Sequence, residues 1–167
     1  MIGRIDLYKA FFTTESKYYA KRFDEFEKGS KIQFNFWAGF FGVGWFLYRR
    51  LTNQAIWIFF LRIVLSGIIN LILKLNYFGS MDMQLLRFLI IYSLSFIVLG
   101  FLGNYIYFKK AKRVVEPYLT GTGIDNIDDS ILNKIRHKGG VHINSAYIYF
   151  VILIILFIFG LVINIFK

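Results

Sequence analysis

The fold depends on one short apolar run, residues 34–48, which reads Phe34-Asn35-Phe36-Trp37-Ala38-Gly39-Phe40-Phe41-Gly42-Val43-Gly44-Trp45-Phe46-Leu47-Tyr48. As a helix these residues would cover only about 22 Å, less than the roughly 30 Å of a bilayer hydrocarbon core. Three glycines in six positions also weaken a continuous helix. We therefore predict a re-entrant helical hairpin that turns between Gly39 and Gly44. A crossing by this segment is the alternative.

Residues that anchor a chain at a membrane surface lie around this run. Indole rings and arginine side chains both prefer the interface between lipid and water. We predict five interfacial anchors, which are Trp37, Trp45, Arg49, Arg50 and Trp57.

The composition points to a membrane protein. Of 167 residues, 57% are hydrophobic and 20% aromatic, which is more apolar surface than a soluble domain of this length can hide. The formal net charge is +10, but the basic residues lie between the apolar runs, as expected beside anionic lipid headgroups. We therefore expect no nucleic-acid partner. The chain has no cysteine, which excludes disulfides and thiolate chemistry.

Three further apolar runs are long enough to cross a bilayer, namely residues 55–73, 85–108 and 145–166. They must be helical, because lipid cannot satisfy exposed backbone groups. The predicted fold is an all-α integral membrane protein with an N-terminal amphipathic interfacial helix, a short re-entrant hairpin and three transmembrane helices. Four transmembrane helices are the alternative. Residues 109–143 are predicted to form a cytoplasmic loop with a short helix that Asp128 begins and Gly139 ends.

Residues 1–33 form the predicted N-terminal basic helix. Its apolar residues recur at spacings of three, four and seven, which places them on one face: Ile5, Tyr8, Phe12, Tyr19, Phe23 and Phe26. Lysines and arginines occupy most of the remainder. We predict that this helix lies in the headgroup plane with its rings in the acyl boundary. The alternative is an ordinary helix packed on the rest of the protein.

The distribution of Lys and Arg predicts the orientation. Residues 1–33 and residues 109–143 hold seven each, whereas the connection between the first two spans holds only Lys74. The positive-inside rule places the two basic segments in the cytoplasm. The N-terminus and Arg50 then lie on the same side of the membrane only if the hairpin re-enters. The length of residues 34–48 and the distribution of charge therefore both favour a re-entrant hairpin. We expect a multi-pass protein of a bacterial inner membrane with a cytoplasmic N-terminus and an external C-terminus.

Two parts of the sequence resemble an uncharacterised family of small bacterial membrane proteins, the domain of unknown function 2628. They are the run from Phe34 to Arg50, which ends Gly-Trp-Phe-Leu-Tyr-Arg-Arg, and Gly103-Asn104-Tyr105-Ile106-Tyr107, and Lys138-Gly139-Gly140 is a further, shorter match. The resemblance extends over residues 34–166. It departs from the family pattern at Phe36, which is interposed before Trp37, and at Val43, where a proline is expected. The resemblance implies a bacterial membrane protein and brings no known activity.

A polar stripe runs along the first predicted span, with residues four apart on one helix face: Arg62, Ser66, Asn70 and Lys74. Polar groups in lipid are costly and usually face a partner helix or a water-filled cavity. We interpret the stripe as facing an anion or a partner. Alternatively, its central residues bond to neighbouring helices while the two cations reach opposite interfaces.

Small and polar residues on the other two spans predict close helix packing, namely Ser95, Gly100, Gly103, Asn104, Gly160 and Asn164. No Asp, Glu or His lies inside any predicted span, so no proton relay or catalytic group is expected there. His137 and His142 lie five apart without a thiolate, a weak pattern for a metal site. We expect no cofactor and no metal.

The most consistent function is therefore a non-catalytic one. We expect an accessory or scaffold subunit that binds another membrane protein or the anionic headgroups of membrane lipids, or that associates with copies of itself. An immunity protein against a membrane-acting toxin is one alternative. An oligomeric ion or solute channel lined by the polar stripe is another.

Overall fold

The structure is a computed structural model that describes residues 3–72, 81–121 and 128–165. These residues contain α-helices and no strand, which confirms the all-α prediction. The helices are α1 (Arg4–Phe12), α2 (Ser16–Glu27), α3 (Phe36–Phe41), α4 (Val43–Tyr48), α5 (Thr52–Ile72), α6 (Met81–Gly121), α7 (Asp129–Lys138) and α8 (Ile143–Ile165).

Three of these helices, α5, α6 and α8, are long and apolar enough to cross a membrane. They contain 21, 41 and 23 residues, and about 20 are needed for a crossing. Within the most apolar stretch of each, only 11%, 11% and 0% of the residues are buried inside the protein. Their apolar side chains therefore face outward, which suits lipid and not water.

The hairpin is formed by α3 and α4 and turns at Gly42, whose φ of +51° favours glycine. At its entrance, the Asn35 N–H donates to the Gly100 carbonyl of α6 at 2.7 Å. Near its tip, the Tyr92 hydroxyl donates to the Phe40 carbonyl at 3.2 Å. Because Tyr92 lies about two helical turns before Gly100, α3 runs along α6 toward the start of that helix.

The second arm of the hairpin packs mainly on α5 and α8 and returns in the opposite sense, toward the later part of α6. The Trp45 ring lies 6.0 Å from that of Tyr107, and Lys110 Nζ donates to the Arg50 carbonyl at 2.8 Å. The chain thus enters and leaves by the same end of the helix bundle, with the turn in the predicted interval. Each arm is about 9 Å long, so neither crosses a bilayer and the four-span alternative is not supported.

The second span continues well beyond its predicted end at Phe108. The structure corrects the predicted loop over residues 109–121, which form the last part of α6. Tyr107, Ala111 and Val115, spaced four apart, are fully buried on one face, and α1, α2 and α7 pack around this extension. We call α1, α2, α7 and residues 109–121 the basic cap.

The aromatic face of the N-terminal segment is the core of the basic cap. Tyr8, Phe12, Tyr19, Phe23 and Phe26 are buried, with rings within 6 Å of Tyr107 or Phe108 for most of them. This corrects the prediction that these rings enter lipid. The segment forms two helices packed on α6, which is the alternative left open by the sequence. An apolar helix face can be buried against another helix as well as in lipid, so the spacing alone does not distinguish the two.

The predicted short helix is confirmed as α7. The Asp128 carboxylate accepts from the Ile131 N–H at 2.9 Å and caps the helix start, and Gly139 follows its last residue. A side chain at Gly139 would collide with the Phe11 carbonyl, and Gly140 donates its N–H to that carbonyl at 2.7 Å. The glycine pair therefore docks the end of α7 against α1.

Candidate functional site

The predicted polar stripe lies on the packed side of α5. Asn70 is buried, and Arg62 and Ser66 are partly buried, whereas the residues beside Arg62 are exposed. A Cβ at Gly42 would lie 3.6 Å from Arg62 Nη1, so the guanidinium reaches the hairpin turn. The Asn70 amide has no hydrogen-bond partner among the described residues. Lys74 lies outside the described residues.

The predicted interfacial anchors separate into two groups. Trp37 and Trp57 are 54% and 75% exposed, as anchors in an interface would be. Trp45 and Arg49 are only 4% and 2% exposed and lie inside the protein, which corrects their assignment. The sequence could not distinguish these cases, because an indole between two helices and an indole in headgroups have the same local pattern. Arg50 lines a pocket that is described below.

Arg49 is a buried charge at the junction of the hairpin and the basic cap. Its Nη2 donates to Glu15 Oε2 at 2.8 Å, and its guanidinium carbon lies 4.4, 5.2 and 5.4 Å from the ring centres of Tyr19, Tyr48 and Tyr107. Burial lowers the pKa of Arg49, but the tyrosines and Glu15 outweigh it and leave the pKa above its ordinary value. The charged Arg49 side chain therefore connects α4 with α2 and α6.

An apolar cavity of about 420 Å³ opens beside Arg49. Its walls include Trp37, Phe41, Trp45 and Phe150, and the Arg49–Glu15 ion pair lies at its margin. The charge there is already compensated within the protein, so this cavity does not attract an ion.

A second cavity, of about 380 Å³, is different in character and is called the basic pocket. It is lined by Leu47, Arg50, Thr52, Lys110, His137, Lys138, His142 and Ser145. Three of these residues, Arg50, Lys110 and Lys138, have basic side chains, and none of the described residues that line the pocket is a carboxylate. The basic pocket is therefore a region of uncompensated positive charge at the surface of the helix bundle.

Hydrogen bonds from three elements build the basic pocket. Arg50 follows α4 with a φ of +57°, and its Nη1 donates to the His137 carbonyl at 2.8 Å. Lys110 Nζ donates to the Arg50 carbonyl at 2.8 Å. Burial, and then the charge of Arg50, lowers the pKa of Lys110 to about 8. His142 Nδ1 lies 2.5 Å from Ser145 Oγ.

Sequence reasoning found Arg50, considered His137 and His142 only as a weak metal-site pattern, and missed Lys110 and Lys138. Arg50 stood out because it follows the apolar run directly. Its partners Lys110 and His137 lie 60 and 87 positions later in the chain, and only the return of the hairpin to the same end of α6 brings them together. Before that topology is known, Lys110 and Lys138 are two basic residues among many.

Three of the predicted packing residues lie where α3 meets α6. A side chain at Gly100 would collide with the Phe34 ring, and one at Gly103 with Ala38. The Asn104 amide oxygen accepts from Asn35 Nδ2 at 2.7 Å in a buried position.

For the other three packing residues, the structure bears on Gly160, and the predictions for Ser95 and Asn164 stay predictions. Ser95 is partly buried. A Cβ at Gly160 would meet nothing within 4 Å, so this glycine permits no close helix approach within the described part of the chain. The side chain of Asn164 lies outside the described residues.

Fold and site together define an all-α protein with three candidate membrane spans, a short hairpin and a basic cap at one end. The chain belongs to the family described as protein of unknown function (DUF2628), which matches residues 10–113. This confirms the family, but the match begins and ends earlier than residues 34–166 and does not include Lys138-Gly139-Gly140. No curated protein and no solved structure matches the chain.

Proposed function

We propose that this chain is a non-catalytic integral membrane protein that acts by binding an anionic component of the membrane, in the first place the headgroups of anionic lipids. The observation that carries the proposal is the basic pocket, which has three cations and no carboxylate and lies where α5 and α8 begin. At such a position a long apolar helix emerges from lipid, so the pocket is at headgroup level.

The ion pairs of the basic cap support this proposal. Among the described residues, carboxylates of α2 are paired with cations nearby: Glu27 pairs with Arg4 and Lys112, and Asp24 pairs with Lys28. Arg50, Lys110 and Lys138 take part in no such ion pair within the described part of the chain. Their charge remains available for an external anion.

We infer an orientation for the same reason. The basic cap is placed on the cytoplasmic side of a bacterial inner membrane, where anionic lipids attract lysines and arginines. The N-terminus is then cytoplasmic, and three crossings place the C-terminus outside. The return of the hairpin to the end of α6 that carries the cap supports this arrangement.

Co-purification tests the proposed function. The chain is extracted gently from its native membrane and the recovered material is analysed by native mass spectrometry for bound lipid and protein. We expect anionic phospholipid at about one molecule or more per chain, enriched over its share of the membrane. A chain recovered alone, or with lipid in the proportions of the bulk membrane, would contradict the proposal. A stoichiometric protein without lipid would point to the scaffold function instead.

A further inference from the structure

We infer that the basic pocket is a binding site for a phosphate group, either that of a phospholipid headgroup or that of a soluble phosphate compound. The inference rests on the proposed function and names the chemical group that is bound and the residues that bind it. It follows from three properties of the pocket: its cations, the helix ends that meet there, and its size and position.

The first property is the gathering of cations without a counter-charge. Arg50, Lys110 and Lys138 line one cavity of about 380 Å³, and no carboxylate is among the described residues that line it. Like charges held close together repel one another, and the lowered pKa of Lys110 reflects first its burial and then the charge of Arg50. A bound phosphate would remove the repulsion and accept hydrogen bonds from ammonium and guanidinium groups.

The second property is the meeting of two helix N-termini. Thr52 is the first residue of α5 and Ser145 lies in the first turn of α8, and both line the basic pocket. The N-terminus of a helix carries partial positive charge and free N–H groups that favour phosphate. The carbonyls of His137 and Arg50 also lie here, but Arg50 and Lys110 already donate to them. The Ser145 N–H donates to His142 Nδ1 at 3.3 Å, so at α8 the partial positive charge of the helix start, and not this N–H group, would act on a phosphate.

The third property is size and position. A cavity of about 380 Å³ holds a phosphate with a small substituent and no large ligand. Leu47 provides an apolar wall, and α5 and α8 enter their apolar stretches directly from the pocket. A phospholipid can therefore place its phosphate in the pocket while its chains follow these helices. A soluble phosphate compound can enter from the aqueous side.

The test removes two cations from the basic pocket and compares a variant of equal charge. K110Q/K138Q removes two lining ammonium groups. K109Q/K134Q removes two exposed ones that lie next to Lys110 on α6 and one turn before Lys138 on α7, outside the lining. Both variants lower the net charge by the same amount, so a diffuse electrostatic effect acts on them equally. Circular dichroism and thermal unfolding in detergent establish that each variant is folded.

Two arms distinguish the source of the phosphate. In the first, the protein is placed in phosphatidylcholine nanodiscs with a small fraction of phosphatidylglycerol, and bound phosphatidylglycerol is counted. In the second, inorganic phosphate is titrated against the detergent-solubilised protein at constant ionic strength, with chloride as the control. We expect K110Q/K138Q to bind at least about tenfold more weakly than the wild type in one arm or both, since each charge-assisted hydrogen bond is worth about one decade. K109Q/K134Q should resemble the wild type.

The outcomes separate this inference from the proposed function. If the wild type prefers phosphatidylglycerol and both variants lose the same part of that preference, the lipid is bound diffusely and the basic pocket is not the site. If the wild type responds to neither phosphatidylglycerol nor inorganic phosphate, both the proposed function and the site are wrong. A loss confined to K110Q/K138Q in the phosphate arm alone would assign the site to a soluble ligand.

Discussion

At the scale of the residue, Arg49 illustrates how a charge is kept inside an aromatic environment. Its guanidinium lies against the rings of Tyr19, Tyr48 and Tyr107, and one of its nitrogens donates to Glu15. A cation over desolvated rings gains about 2 kcal/mol or more, whereas an ion pair with an exposed partner contributes less than about 1 kcal/mol. Because the Glu15 side chain is 56% exposed, the rings should hold Arg49 more than the carboxylate does.

This balance predicts unequal effects of substitution at the two partners. Arg49→Met should lower the free energy of unfolding by about 2 kcal/mol or more, because the ring contacts are lost. Glu15→Gln should lower it by less than about 1 kcal/mol. Thermal unfolding in detergent, followed by circular dichroism, measures both. Equal effects would show that the ion pair, and not the aromatic environment, fixes Arg49. Arg49→Lys should not restore stability fully, since an ammonium does not stack as a planar guanidinium does.

At the scale of the element, the contact between the hairpin and α6 depends on the absence of side chains. A Cβ at Gly103 would collide with Ala38, whereas one at Gly67 on α5 would meet nothing within 4 Å. Alanine favours a helix over glycine by up to about 1 kcal/mol at either position. The two glycines therefore have the same propensity and differ only in packing.

Alanine substitutions at these two glycines should consequently differ in sign. Gly103→Ala should destabilise the protein by about 1–3 kcal/mol. The added methyl group would overlap the Ala38 methyl group, and the overlap is relieved only if α3 is displaced from α6. Gly67→Ala should be neutral or stabilising. The midpoint of thermal unfolding gives the sign. With Trp37 and Trp57 replaced by phenylalanine, the fluorescence of Trp45, which packs beside Gly103, reports displacement of the hairpin. An unchanged midpoint for Gly103→Ala would mean that α3 is not held closely against α6.

The elements also show which parts of the fold the sequence could predict. Length and glycine content predicted the hairpin and its turn, because both are local properties. The sequence does not predict the extension of α6, because the end of an apolar run marks the end of a membrane span and not the end of the helix. The four-residue spacing of the buried positions Tyr107, Ala111 and Val115 indicates that the helix continues. This spacing extends from the apolar run into the polar segment after it, so neither segment shows it alone. The partner of an amphipathic face is a tertiary property that spacing does not reveal.

At the scale of the whole molecule, one end of the helix bundle carries nearly all of the structure outside the candidate spans. The α6 helix is about 60 Å long, roughly twice the hydrocarbon thickness, and α1, α2 and α7 surround the part that extends beyond it. The hairpin opens toward the same end. The basic pocket forms where these parts meet, so it depends on the topology of the entire chain.

Because the chain has no cysteine, its proposed orientation can be tested with single cysteines. Lys17→Cys on α2 and Lys134→Cys on α7 place exposed thiols in the basic cap. Lys167→Cys introduces a thiol at residue 167, beyond the described residues. In intact cells, a maleimide that cannot cross the membrane should label only the C-terminal cysteine, because lysine-rich segments stay in the cytoplasm. All three should be labelled after permeabilisation, which is the control for reactivity. Labelling of Lys17→Cys in intact cells would place the cap outside and exclude the cytoplasmic leaflet as the source of its anionic ligand.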